Sequence, residues 1–349
     1  MMNQIRIFGF AASAVLCALL VTAGCTKPAE EPAQTSVETP KITPAAIESE
    51  EQKPTVKLAL KFTEADSTTY RITTEMDKSV LWESPHPTKP KGFTGGHTGN
   101  RVEMAFKQLI QSTDDKGNAV AKITIEQLKC TAKVKDNIVL DFDSSREQDR
   151  QNSLSKLIGQ SYTIELTPSG QVLKVIDAND ARAAAASDSA GKTAANLLSD
   201  KAIIERHTIP ALPASDKNQL QPGGNWSVIK SFSFDMMGSK LYEKVYTLQE
   251  IQDAGGRRIA FAKMQAVPST ERAKELHKQQ PASFFANISD NKETYTGELK
   301  LDLIGGKIEE CRENLTVEWF IVDPNPKENE QPAALRMAAV RTYSIEKID

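Results

Sequence analysis

The sequence predicts a mainly β protein with minor helix. It reads as one large antiparallel sheet, curved or half-closed into a barrel, built from long hairpins with a few covering helices. Three observations predict this. From Val56 onward, apolar residues recur at every second position, the pattern of a sheet with one buried and one solvated face. Turns rich in Gly, Asp and Pro separate the runs, and glycine supplies the positive φ that tight hairpins need. Many of the runs outlast the usual ~5–6 residues of a strand. Long strands paired in sequence favour a curved sheet or barrel.

The segments follow in order. Residues 1–24 read as an export signal, with Arg6 ahead of the apolar run Ile7 to Val21. That run is short for a membrane span. It ends Val21-Thr22-Ala23-Gly24-Cys25. This string resembles a bacterial lipobox, with Thr22 where Leu is more usual. The resemblance implies cleavage before Cys25 and lipid on its thiol and on the new amino group. Several acyl chains, at about 0.8 kcal/mol per buried CH₂, hold a protein stably on a bilayer. Thr26 and Lys27 follow, so no Asp stands beside the cysteine. The sorting rule of enteric lipoproteins then favours the outer membrane, facing the periplasm. Residues 25–55 read as a lipidated cysteine and a Pro- and Glu-rich tether without one aromatic, unable to bury a core. Its reach is bounded near ~100 Å.

Residues 56–349 are expected to form a single β domain, with two similar halves as a further possibility. Tyr70, Ile72, Thr74 and Met76 alternate with charged and polar neighbours, as do Val102, Met104 and Phe106. Tyr162, Ile164 and Leu166 do the same, and so do Leu315, Val317, Trp319 and Ile321. Four turns join runs into hairpins: Asp114 to Gly117, Pro168 to Gly170, Ala254 to Gly256, and Gly305-Gly306. The stretches beginning at Phe106 and Tyr246 are weakly alike, which shared hairpin chemistry explains at least as well as duplication. Helix is expected in three places. The Ala-rich stretch Asp180 to Arg206, broken near Gly191, reads as two helices; Asp143 to Gly159 holds a short one; Thr270 to Gln280 begins with a capping Thr. Ser84 to Asn100 and Pro210 to Gly224 read as loops.

Composition excludes several functions. Lys+Arg total 43 against Asp+Glu 46, so no basic excess exists to grip nucleic acid. The mean hydropathy of −0.41 argues against a multi-span membrane protein. Four His, at 86, 97, 207 and 277, lie scattered without metal-ligand spacing. No metal or cofactor is expected. Ser153-Leu154-Ser155-Lys156 and Ser289-Asp290-Asn291 spell two of three motifs used by penicillin-binding proteins. The third is missing and the hairpin pattern is wrong for that fold, so chance explains them. Asp141 and Asp143 read as a turn or helix cap. No catalytic residue is expected.

Two cysteines remain in the mature fold, Cys130 and Cys311, both on expected strands. The export compartment permits a disulfide between them. Two separate buried thiols, each packing as a small hydrophobe, are the equal alternative.

The folded region resembles a group of uncharacterised bacterial envelope lipoproteins. The similarity rests on Leu58 to Phe62, Asp66 to Tyr70, Phe142 to Ser145, Tyr162 to Val175, Leu212-Pro213 and Pro222 to Trp226. These are structural punctuation and imply no activity. The long hairpins also resemble the half-open barrels of lipoprotein carriers of the LolA/LolB type. The expected function is therefore that of a non-catalytic, lipid-anchored envelope protein. One reading has it hold a hydrophobic small molecule in the hollow of its sheet. The alternative is a structural or adaptor protein that binds other envelope proteins through strand edges.

Overall fold

In the computed structural model, residues 54–83, 95–185, 191–234, 238–268, 290–322 and 333–349 are described. The expected helix at 270–280, His86, His277, Ser289, Cys25 and the signal and tether lie outside them. The fourteen strands are β1 Val56–Lys57, β2 Ser67–Glu83, β3 Gly96–Thr113, β4 Ala119–Val134, β5 Asn137–Asp143, β6 Ser161–Leu166, β7 Val172–Asp177, β8 Gln219–Leu220, β9 Asn225–Ser233, β10 Ser239–Ala254, β11 Arg257–Pro268, β12 Asp290–Asp302, β13 Lys307–Val322 and β14 Ala334–Lys347. Three short helices, α1 Asn179–Ala185, α2 Gly191–Leu197 and α3 Asp200–His207, stand between β7 and β8.

Twelve strands form one curved antiparallel sheet in the order β7-β6-β4-β3-β2-β14-β13-β12-β11-β10-β9, with β5 beside β4. The chain starts at the middle of this sheet and meanders out to the β7 edge. It crosses through α1–α3 to the opposite edge at β9, then meanders back. The last strand, β14, pairs with the first long strand, β2, from Lys347↔Tyr70 to Ala334↔Glu83. The residues Gln52–Asp349 make one compact unit.

The alternation does what the sequence predicts. Ile72, Met104, Phe106, Ile123, Leu299 and Leu315 are buried on one face. The chain's own crossing segment covers that face. Leu154, Leu157, Ala181, Ala194, Leu198 and Ile203 pack into the same core. Beyond α3, Ile209 N donates to Gly170 O at 2.7 Å, and Trp226 Nε1 donates to Ala211 O at 2.9 Å. The segment is thereby tied to β6–β7 on one side and β9 on the other. Gly170 is required there: its φ is +75°, and a Cβ would stand 2.7 Å from Ile209 Cβ.

The four expected hairpins all form. The helical stretches differ from expectation. Asp180 to Arg206 holds three helices, because Ser199 caps a separate α3 by accepting from Ala202 N at 3.3 Å. Asp143 to Gly159 holds two 3₁₀ turns, Glu147–Asp149 and Ser153–Leu157. The loop at 210–224 contains a 3₁₀ turn and β8, which pairs with β1.

The disulfide between Cys130 and Cys311 does not form. Both are buried free thiols. Cys130 is on β4 and Cys311 on β13, with β3, β2 and β14 between them. Four ladder spacings amount to ~19 Å along the sheet, and a bridge needs Cα atoms within ~7 Å. Burial pushes the Cys130 thiol up to about 12 and the Cys311 thiol well above its ordinary value. Neither is expected to react with an alkylating agent in the native mature protein. Both should react, without reductant, once it is denatured. Mass spectrometry checks this, and a denatured protein that gains no alkyl group would restore the bridge.

Candidate binding surfaces

Among the described residues the apolar face packs against the chain's own crossing segment. A cavity there, lined by Phe62, Tyr70, Ile110, His207, Ile209 and Ile345 among others, has a volume of about 30 Å³. That is room for one or two waters, far below the ~300 Å³ at which ligand pockets begin. His207 sits at this cavity with its Nε2 2.5 Å from the Tyr162 hydroxyl. The Phe106 ring meets it edge-on at 4.7 Å. Burial, seconded by the Arg206 charge, holds the His207 pKa well below its ordinary value. The imidazole is therefore a neutral core group.

A second buried cluster surrounds Glu313 of β13. Lys244 Nζ, from β10, donates to Glu313 Oε1 at 2.8 Å and to Pro210 O at 2.9 Å. The Tyr246 and Tyr295 hydroxyls donate to the same carboxylate. Lys244 and Glu313 meet although β11 and β12 lie between their strands, so the apolar face is tightly curved here. Burial and the Glu313 charge push both tyrosines up. With Lys244 and two hydroxyls bound, the carboxylate is a fully engaged acceptor. Sequence reading passed over this cluster. Its signal was two charged residues in phase with apolar ones: Lys244 between Tyr242 and Tyr246, Glu313 between Cys311 and Leu315.

The other motif residues scatter. Arg146 bonds Asp141 and Asp149, while Asp143 accepts from Ser145 N and Oγ. These pairs make a turn, as expected. Ser153 is buried in its 3₁₀ turn, and Asp290 and Asn291 begin β12 in the other half of the sheet. His97 Nδ1 stands 3.4 Å from Asp77. Among the described residues, no group of three His, Cys, Asp or Glu side chains is placed to hold a metal. No described helix is long and apolar enough to cross a membrane.

Two surfaces stand out among the described residues. The first is β5, an edge strand bonded to β4 alone. Lys135 and Asp136 make the turn into it with φ of +50° and +69°. Ile138 and Val139 point to opposite faces, yet 66% and 61% of their surfaces are exposed. This end of the strand therefore stands clear of the core on both sides. The second is on the polar face of the sheet. Thr73, Thr296, Asn314, Thr342 and Ser344 form a low floor, and longer charged side chains rise around it. The result is an open trough of about 730 Å³.

No family model matches the chain, and no curated relative does. Similar solved structures include lipovitellin, in a study of its lipid–protein interactions, at 10% identity and a TM-score of 0.36. The match covers 83% of this chain and 26% of that one, so the chain spans about a quarter of lipovitellin's length. DynF, from the dynemicin biosynthesis pathway of Micromonospora chersina, matches at 7% identity and a TM-score of 0.17. That match covers 86% of this chain and 88% of DynF. At such TM-scores neither likeness bears on the site.

Proposed function

We propose that the chain is a non-catalytic lipoprotein of the bacterial cell envelope that binds other envelope proteins through the free edge of β5. The lipobox-like string ending at Cys25 supports the anchor. The tether at 26–55 supports a folded part that stands off the membrane. The observation that carries the binding reading is β5 itself. Asp141 O and Asp143 N are held by Arg146 and Asp149, but the Ile138–Val139 end of the edge is open to a partner strand, and these two residues offer apolar contact on either face of the added strand. Native sheets usually blunt such edges with charge or cover them. Strand addition at an exposed edge draws affinity from main-chain hydrogen bonds and specificity from alternate side chains. The packed apolar face supports this reading over storage of a hydrophobic molecule.

Two measurements test it. Cys25→Ser is expected to move the protein from the membrane fraction to the soluble fraction. A photo-crosslinking residue at Val139 is expected to capture an envelope protein in cells. The same group at Asp216, exposed on a distant 3₁₀ turn, is expected to capture none. Equal capture at both positions, or capture at neither, overturns the β5 assignment.

A further inference from the structure

We propose that the polar face of the sheet docks against the same face of a second copy of this chain, about a two-fold axis along the β2–β14 seam. The register carries the argument. One row of residues crosses the polar face from β5 to β11: Asp143, Lys129, Glu103, Thr73, Ser344, Arg312, Glu298, Lys263. The signs run minus, plus, minus, neutral, then neutral, plus, minus, plus. The row is antisymmetric about its centre, which is the seam.

A two-fold axis along the seam sets each residue against its mirror position in the other copy. Thr73 then faces Ser344, Glu103 faces Arg312, Lys129 faces Glu298, and Asp143 faces Lys263. Every charge meets its opposite, twice over. The adjacent row obeys the same rule, since Arg71 pairs with Glu346 across the seam and would face it in the partner. On the other side, Glu75 and Arg101 would face the neutral Thr342 and Asn314. No like charges are brought together. Such self-complementarity is what an isologous contact requires. A twisted sheet also maps onto itself under a two-fold along its strands, so the two faces can stack in the aligned manner.

The mixed charges around the trough favour a facing protein surface over a small ligand. Its lining carries four positive groups, Arg71, Arg101, Lys263 and Arg312, and five acidic ones, Glu75, Glu103, Glu298, Glu346 and Glu313, the last of them buried against Lys244. No ligand of a single sign is selected by such a wall. Its lining contains no aromatic ring on which a sugar or base would stack. Glu298 has no ion pair among the described residues, although Arg312 and Lys263 flank it in the register. A facing Lys129 supplies one. The row spans seven strand spacings, ~34 Å, a width in keeping with a standard interface of ~800 Å² per partner.

The contact rests on charge, so it is expected to be specific and salt-sensitive. Sedimentation velocity of the full mature chain without its acyl groups is expected to show a dimer at low salt and a monomer at high salt. Glu103→Arg alone and Arg312→Glu alone are each expected to sediment as monomers. An equimolar mixture of the two is expected to dimerise, because opposite charges then meet at both symmetry-related contacts. Circular dichroism verifies that each variant is folded. If Glu103→Arg does not fold, Glu298→Lys mixed with Lys129→Glu asks the same question. A wild-type monomer at tens of micromolar in low salt overturns the proposal. So does a folded single variant that remains a dimer, or a mixture of folded variants that stays monomeric. The contact uses only Asp143 at the far end of β5 and leaves the Ile138–Val139 edge free, so failure here leaves that reading untouched.

Discussion

Replacing Lys244 by Met is expected to cost about 3–5 kcal/mol of folding stability, because it strands a buried carboxylate. Lys244 and Glu313 are almost wholly buried, and their side chains meet at 2.8 Å. Methionine keeps most of the volume but removes the countercharge. Glu313 must then stay ionised without its cation or take up a proton, and each route is unfavourable in the folded state. Tyr246 and Tyr295 still donate to it, which limits the loss without cancelling it. Pro210 O also loses its donor. At ~2–4 °C per kcal/mol for a domain of this size class, the melting temperature should fall by roughly 10 °C. Lys244→Met combined with Glu313→Leu should recover much of the difference, since a buried pair can often be replaced by apolar groups at little cost. Thermal melts of the single and double variants check this. A single variant that melts with the wild type would mean that the Glu313 carboxylate does not depend on Lys244.

Deleting residues 334–349 is expected to abolish folding. β14 is flanked on both sides, by β13 and by β2, and among the described residues no other strand of the sheet joins the two meanders. Its loss removes both ladders and the buried Met337, Ala339 and Ile345. It also bares the inner edges of β2 and β13, two of the longest strands. A domain holds only about 5–15 kcal/mol in total, and loss of a central strand exceeds that reserve. Removing Asp349 alone deletes a hydrogen bond from Thr69 N, at 2.7 Å, on the exposed surface. That truncation should stay soluble and folded. Far-UV circular dichroism and solubility on expression separate the two outcomes. A folded product lacking β14 would show that each meander holds together alone.

The four hairpins were legible because turn chemistry and period-two alternation agree there. β14 was not picked out. Ala338 and Ala339 are both small, and Arg341 lies in phase with the core residues Met337 and Ile345. Its alternation is therefore blurred, although its central place protects it. Arg341 stacks over Phe232 and Phe234. β5 was missed for another reason. Ile138, Val139 and Leu140 follow one another without alternation, because the start of that strand has solvent on both faces. Its turn uses Lys135 and Asp136 at positive φ, where glycine is the usual signal. The Ala-rich stretch announced helix but hid its third start at Ser199. The Glu313 cluster needed curvature to be seen, since Lys244 and Tyr246 come from β10, which does not touch β13. The polar row on β5 through β11 was invisible for a related reason. Its signs become a pattern only once the register is known.

The seam has a consequence for the order of events in folding. Tyr70 and Lys347 pair at its end, yet more than 270 residues of chain separate them. Closing a loop that long costs roughly 5 kcal/mol of chain entropy, and contacts of such separation slow folding. While the chain is being made, β2 has β3 as its neighbour long before β14 exists. The first meander must wait with its inner edge open, a template for wrong pairing between nascent chains. A chain delivered whole and unfolded to its final compartment escapes that wait. Its last strand arrives at nearly the same time as its first.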